Sequence, residues 1–165
     1  MQIKKEMTGQ QAFSRLADLC ARSEHCQQEM LEKMRSWGVS EAEQAEVMER
    51  LVRERYVDDE RFARAFVNDK IKYNTWGRRK VEQALWTKHI DSNVSKAVLD
   101  EIDDSEYISI LRPMLKQKRR ATKADSEYAL TMKLIKYALS RGFTMDIIKQ
   151  CIEVDNEDEF LDEDF

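Results

Sequence analysis

Three times along this chain an apolar helical spacing runs into a stop, a single apolar residue, and a helix-starting polar residue. Met30, Leu31 and Met34 lead into Trp37-Gly38-Val39-Ser40. Val81, Leu85 and Trp86 lead into Lys88-His89-Ile90-Asp91, and Leu134, Ile135 and Ala138 lead into Arg141-Gly142-Phe143-Thr144. Glycine after a last helical turn, followed by a hydrophobic residue, is the pattern of a Schellman stop. Ser40 with Glu43 fits a capping box for the next helix. The marker residues Val39, Ile90 and Phe143 are 51 and then 53 residues apart, long enough for three helices per unit. The spacing predicts helices near 10–21, 24–37, 41–54, 59–72, 77–88, 92–102, 105–120, 125–141 and 145–153.

Composition supports an all-α chain. Its 165 residues contain 4 glycines and 1 proline, too few for the turns of a β-rich fold. The expected architecture is an elongated, curved array of three tandem three-helix repeats, because units this small must stack to bury their faces. The divisions are a flexible N-terminus (1–8), repeats over 9–55, 56–103 and 104–153, and an acidic C-terminal tail (154–165). A compact bundle with accidental periodicity is the competing arrangement. No run approaches the roughly 18 apolar residues of a membrane span. Cys20, Cys26 and Cys151 read as reduced, mostly buried thiols of a cytoplasmic protein. The formal charge is -4, yet residues 153–165 hold eight acids and no base, so residues 1–152 carry +4. That end is either a solubilising segment or a competitor for a basic surface.

Two central segments carry the most specific information. In Val57-Asp58-Asp59-Glu60-Arg61-Phe62-Ala63, Asp58 and Asp59 suit a helix N-terminus, and Phe62, Ala63, Phe66, Val67 and Ile71 make one apolar face. In Trp76-Gly77-Arg78-Arg79-Lys80-Val81, three cations open a helix and oppose its dipole. Either neighbouring carboxylates compensate or an anionic partner does. Tyr73 and Trp76 beside them form an interface anchor or a base-stacking platform, or Trp76 closes a groove between units. Asn74 and Thr75 are candidate caps, and Trp37 and Trp86 read as core. Further on, Arg112, Lys116, Arg119, Arg120 and Lys123 fall at helical spacing as a basic stripe. It is either a solvated face or a surface for acidic protein or nucleic acid. Pro113 would kink that helix or delay its start. Catalytic chemistry finds no support: His25 and His89 are isolated, Cys20, His25 and Cys26 lack closed zinc-site spacing, and no glycine-rich phosphate loop is present. No catalytic residue, metal or cofactor is expected.

The chain resembles the RecX family of RecA regulators at Tyr56–Ala63, at Trp76–Val81 through Leu85 and Lys88-His89-Ile90, and at Leu139–Phe143. A weaker likeness covers Leu16–Leu31, so the resemblance spans about residues 12–152. The chain departs from the family pattern at Arg78, where proline often follows the glycine, at His89, where glycine is usual, and in the acidic end. The resemblance implies a non-enzymatic, monomeric helical-repeat clamp in the groove of the RecA–single-stranded-DNA filament. It would inhibit RecA's ATPase, strand-exchange and co-protease activities, and so act in homologous recombination, DNA repair and the SOS response. Arg78, Arg79, Lys80 and the stripe Arg112–Lys123 would then face acidic protein or DNA phosphates, with Tyr73 and Trp76 as anchors. Asp58, Asp59, Phe62, Gly77, Gly142 and Phe143 would be structural. Direct DNA binding would be weak; the alternative is a stand-alone single-stranded nucleic-acid binder.

Overall fold

A computed structural model describes residues 6–152; the acidic end and the first five residues lie outside the described part. The described residues form α1 (Gly9–Arg22), α2 (Gln27–Ser36), α3 (Glu41–Arg53), α4 (Asp59–Lys72), α5 (Arg78–Thr87), α6 (Ser92–Asp100), α7 (Asp104–Ala121) and α8 (Glu127–Ser140). A ninth helix, α9, occupies residues 145–152, and no strand occurs among the described residues. The fold is all-α, as the scarcity of glycine and proline requires.

The helix stops do what the sequence pattern asks. After α2, Gly38 takes φ 73°, its N–H donates to the Arg35 carbonyl at 3.2 Å, and Val39 N–H donates to Met34 at 3.1 Å. Gly142 at φ 92° repeats this after α8, with Phe143 N–H donating to Ala138 at 3.2 Å. Both are complete Schellman motifs. His89 does the same work after α5 at φ 57°, with Ile90 N–H donating to Leu85 at 3.1 Å. Arg55 closes α3 likewise at φ 63°, a stop whose sequence contains no glycine.

Helix starts are capped partly by other helices. Thr8 and Gln11 form a full capping box on α1, and Cys26 with Glu29 opens α2 at residue 27, three residues later than the apolar spacing suggested. Ser40 accepts from Glu43 N–H. The reciprocal half of the Ser40–Glu43 box does not form, because the Glu43 carboxylate accepts from Gly9 N–H at 2.8 Å. The paired acids divide in the same way. Asp58 caps its own helix at Arg61 N–H, 3.0 Å away, and Asp59 accepts from Gln27 N–H, at the first turn of α2, at 2.9 Å.

Two compact units result. One contains the described residues up to Phe66 with Leu85–Ser95; the other contains Val67–Ala84 and the described residues from Lys96 onward. In the first, Phe13, Leu16, Met30, Met34, Val47 and Leu51 close a core with Ala12, Val39 and Val57. Each large aliphatic side chain buried there contributes roughly 1.5–3 kcal/mol. Phe13 meets Tyr56 edge-on at 5.8 Å, and Gln44, buried in α3, donates to the Val39 carbonyl. Trp37 packs partly against this core, whereas Trp86 is 76% exposed. The expectation of a core Trp86 fails because the helix buries Leu85, and the next residue lies about 100° around the axis.

In the second unit, Val67, Ile71, Val81, Leu99, Leu111, Leu115, Leu134, Phe143 and Ile148 are buried, and α7 packs on α8. Helix α7 starts at Asp104 and continues through Pro113 to Ala121, so its start is not delayed. Pro113 and Ser109, four residues earlier, are both exposed, so the carbonyl that loses its helical donor lies on the solvent side. A left-handed conformation costs a non-glycine residue about 1 kcal/mol or more, and His89 bears that cost. His89→Gly is therefore expected to stabilise the chain by about 1 kcal/mol, read as a higher urea midpoint with unchanged denaturant slope.

Candidate functional site

The cationic start of α5 is held in place by backbone, not by a side-chain cap. Gly77 N–H donates to the Arg141 carbonyl at 2.8 Å, and Arg79 N–H donates to the Gly142 carbonyl at 3.0 Å. The turn after α8 thus supplies acceptors for the orphan donors at the start of α5. The two segments touch so closely that a Cβ on Gly77 would collide with the backbone of Gly142 and Phe143. A Cβ on Gly142 would collide with Lys80. Arg141 adds a side-chain clamp, its Nη2 donating to the Asn74 carbonyl and to Thr75 Oγ1. Asn74 and Thr75 do not cap α5. Instead Thr75, at φ 55°, shapes the turn in which Trp76 N–H reaches back to the Lys70 carbonyl.

On this mount the predicted contact residues separate into engaged and open groups. Arg78 pairs with Asp100 at 2.7 Å. Lys80 and Lys70 place their ammonium groups 4.8 and 5.0 Å from the centre of the Trp76 ring. Trp76 is half-buried and already engaged by cations, each contact worth about 0.5–1 kcal/mol. Tyr73 is 73% exposed, with the Lys72 ammonium 5.6 Å from the centre of its ring. Arg79 is exposed, and its side chain has no ion pair among the described residues.

Helix α7 buries Tyr107, Leu111 and Leu115 and turns Lys116 and Arg120 to solvent. Its basic stripe is narrower than its spacing suggested. Arg112 is half-buried, and its Nε has no hydrogen-bond partner among the described residues. Arg119 pairs with Glu127 at 2.8 Å. Lys123 lies beyond the helix end at Ala121, so it does not extend the helical face. Its backbone carbonyl accepts from Lys133.

Sequence reasoning missed Arg141, Asp100 and the crossed use of Asp59, whose partners lie too far along the chain for local spacing to reveal. No group of three potential metal ligands occurs among the described residues. Burial pushes the Cys26 thiol up to about 11 and also raises that of Cys20, which disfavours nucleophilic thiolate. No helix among the described residues is long and apolar enough to cross a membrane.

Two changes test this mount. Gly77→Ala is expected to cost about 3 kcal/mol, the upper end of overpacking penalties, measured by chemical denaturation. Tyr107 is buried with an unpartnered hydroxyl, and burial raises its pKa from 10.0 to about 12 although Arg78 opposes the rise. The folded state therefore holds this proton more tightly than the unfolded state. Its contribution is complete below pH 10 and disappears as pH climbs towards 12. Tyr107→Phe is expected to add about 1 kcal/mol at neutral pH by removing an unsatisfied buried group, and to abolish that alkaline loss.

Family models match all three repeats: the first three-helix domain of RecX over residues 12–51, the second over 58–99 and the third over 105–152. Regulatory protein RecX of Acinetobacter baylyi is 28% identical over 149 residues, covering 90% of this chain and 91% of that protein. The Chlorobium limicola protein of the same name is 30% identical, covering 78% of this chain and 79% of its own length. The Geobacillus thermodenitrificans protein is 30% identical, but this chain spans only 45% of its length. The crystal structure of RecX from Lactobacillus salivarius superposes with a TM-score of 0.81 at 19% identity, covering 88% of this chain and 94% of that one. Three tandem domains, these relatives and the shared fold establish that the chain belongs to the RecX family of regulatory proteins.

Proposed function

We propose that this protein binds RecA and its single-stranded-DNA filament in the cytoplasm and inhibits recombinase, ATPase and co-protease activities without catalysing a reaction itself. The observation that carries this reading is the run of three RecX domains in tandem over residues 12–152. Two features support a charge-guided contact. The exposed cations Arg79, Lys116 and Arg120 have side chains without carboxylate partners among the described residues, and exposed Tyr73 lies next to the α5 start. Open cations raise association rate and give salt dependence, whereas paired ones have little left to offer a partner.

The test measures RecA's DNA-dependent ATPase at concentrations of this protein too low to coat the free DNA. Saturable inhibition supports the reading. Tight, steeply salt-dependent binding to DNA alone, with RecA unaffected, would replace it with a stand-alone nucleic-acid binder. Reversing Arg79, Lys116 and Arg120 to Glu is expected to raise the half-inhibitory concentration about tenfold, since three exposed contacts at roughly 0.5 kcal/mol each approach the 1.4 kcal/mol of one decade. Neutralising the engaged pair Arg78 and Arg119 to Gln should change it much less. Equal inhibition by the folded Glu variant would assign these cations to solvation.

A further inference from the structure

Helix α8 carries more apolar surface than its packing uses. Its buried residues are Leu134 and Ala138, yet Tyr128, Met132 and Leu139 stand 76%, 38% and 39% exposed. With half-buried Ile135, these fall along one line of the helix at successive four- and three-residue steps. At about 100° per residue, the apolar arc from Tyr137 through Leu134, Ala138 and Ile135 to Met132 covers roughly 220°. A helix packed on one side needs an apolar stripe of only about 100°. Lys136 borders the surplus on its outer edge and Lys133 stands one row further round, both exposed and neither paired with a carboxylate among the described residues. Lys133 spends one donor on the Lys123 carbonyl at 2.8 Å. The flank is thus an apolar line edged by one cation, with a second behind it.

We infer that this flank is the docking site of the chain's own residues 153–165. That segment has the complementary chemistry: eight acids, no base, and the apolar residues Phe160, Leu161 and Phe165. Its length also suffices. The segment continues from Ile152 at the end of α9, and α8 and α9 are about 21 and 12 Å long at 1.5 Å per residue. Extended at about 3.3 Å per residue, Phe160 reaches roughly 26 Å and Phe165 roughly 43 Å from Ile152. The first distance exceeds the length of α9, and the second exceeds both helices end to end. A second copy of the chain would bring the same lysines to the flank and meet repulsion, whereas the acidic segment meets attraction. Because the segment is tethered, its effective concentration is on the order of millimolar, so a contact of two or three side chains is enough to populate the docked state.

The experiment is NMR of the full-length chain with methyl-labelled methionine, the Met132 signal being assigned by Met132→Leu. In wild type, an aromatic side chain seated on the flank displaces the Met132 methyl resonance. Phe160→Ser, Leu161→Ser and Phe165→Ser together are expected to remove that displacement, while Met30 and Met34, both fully buried in the other unit's core, stay where they are. Lys133→Glu with Lys136→Glu is expected to move Met132 the same way with helicity unchanged. An identical Met132 signal in wild type and the segment variant overturns the proposal. So does a wild-type displacement that depends on protein concentration, which assigns the flank to a second copy. A displacement seen only after RecA filament is added likewise overturns it, and gives the flank to the partner.

Discussion

The second compact unit depends on a contact between two backbones. Gly77 sits against Gly142 and Phe143 with no room for a side chain, and the turn after α8 accepts hydrogen bonds from Gly77 and Arg79. One glycine allows the approach, and the other both allows it and supplies the positive φ of the helix stop. The N-terminus of α5 therefore cannot be formed correctly without the end of α8. Separate demands meet at this point: helix termination, helix initiation, and the aim of the exposed cation Arg79. Arg141 ties the preceding Asn74–Thr75 turn to the same place.

That arrangement explains which parts of the fold were legible in the sequence. The helices and their stops follow from local rules, because a Schellman motif is completed within about six residues and its glycine and apolar marker appear in order. Helix starts were less legible. Asp58 and Asp59 look alike in sequence, but the second serves α2, and Glu43 leaves its expected box for Gly9. An N–H group does not distinguish a local carboxylate from one brought close by packing, so such choices are fixed only by tertiary structure. Trp86 shows the opposite limit. Its size suggested burial, but its angular position beside Leu85 decided exposure.

The candidate site was legible as residue types and not as available charges. The five cations of the third-repeat stripe appear equivalent by spacing. In the fold, one is half-buried, one is paired with Glu127, one lies past the helix end, and two remain open on the helix. Only the open ones keep their charge available, because an exposed pair such as Arg119–Glu127 already satisfies its charge while contributing only about 0–1 kcal/mol to the fold. The Trp76 ring is engaged in the same way by Lys70 and Lys80, and Tyr73 beside it by Lys72 at 5.6 Å, although the Tyr73 side chain stays 73% exposed.

Among the described residues, Arg78 is the one of the three cations opening α5 whose unfavourable placement is offset by a carboxylate. A cation in the first turn of α5 opposes that helix's dipole, and Asp100 as the last residue of α6 opposes its own. Their 2.7 Å pairing brings the two misplaced charges together, so each offsets the other's unfavourable field. The position also explains how an arginine can stand where the family resemblance leads one to expect proline. It is the first helical residue of α5, where the backbone N–H has no intrahelical acceptor and proline costs nothing. The two residues restrain the same helix start by different means, proline through its fixed φ and arginine through a tertiary ion pair. The second means is sensitive to salt and to the placement of α6, whereas the first is sensitive to neither. With arginine there, the geometry of this helix start depends partly on charge.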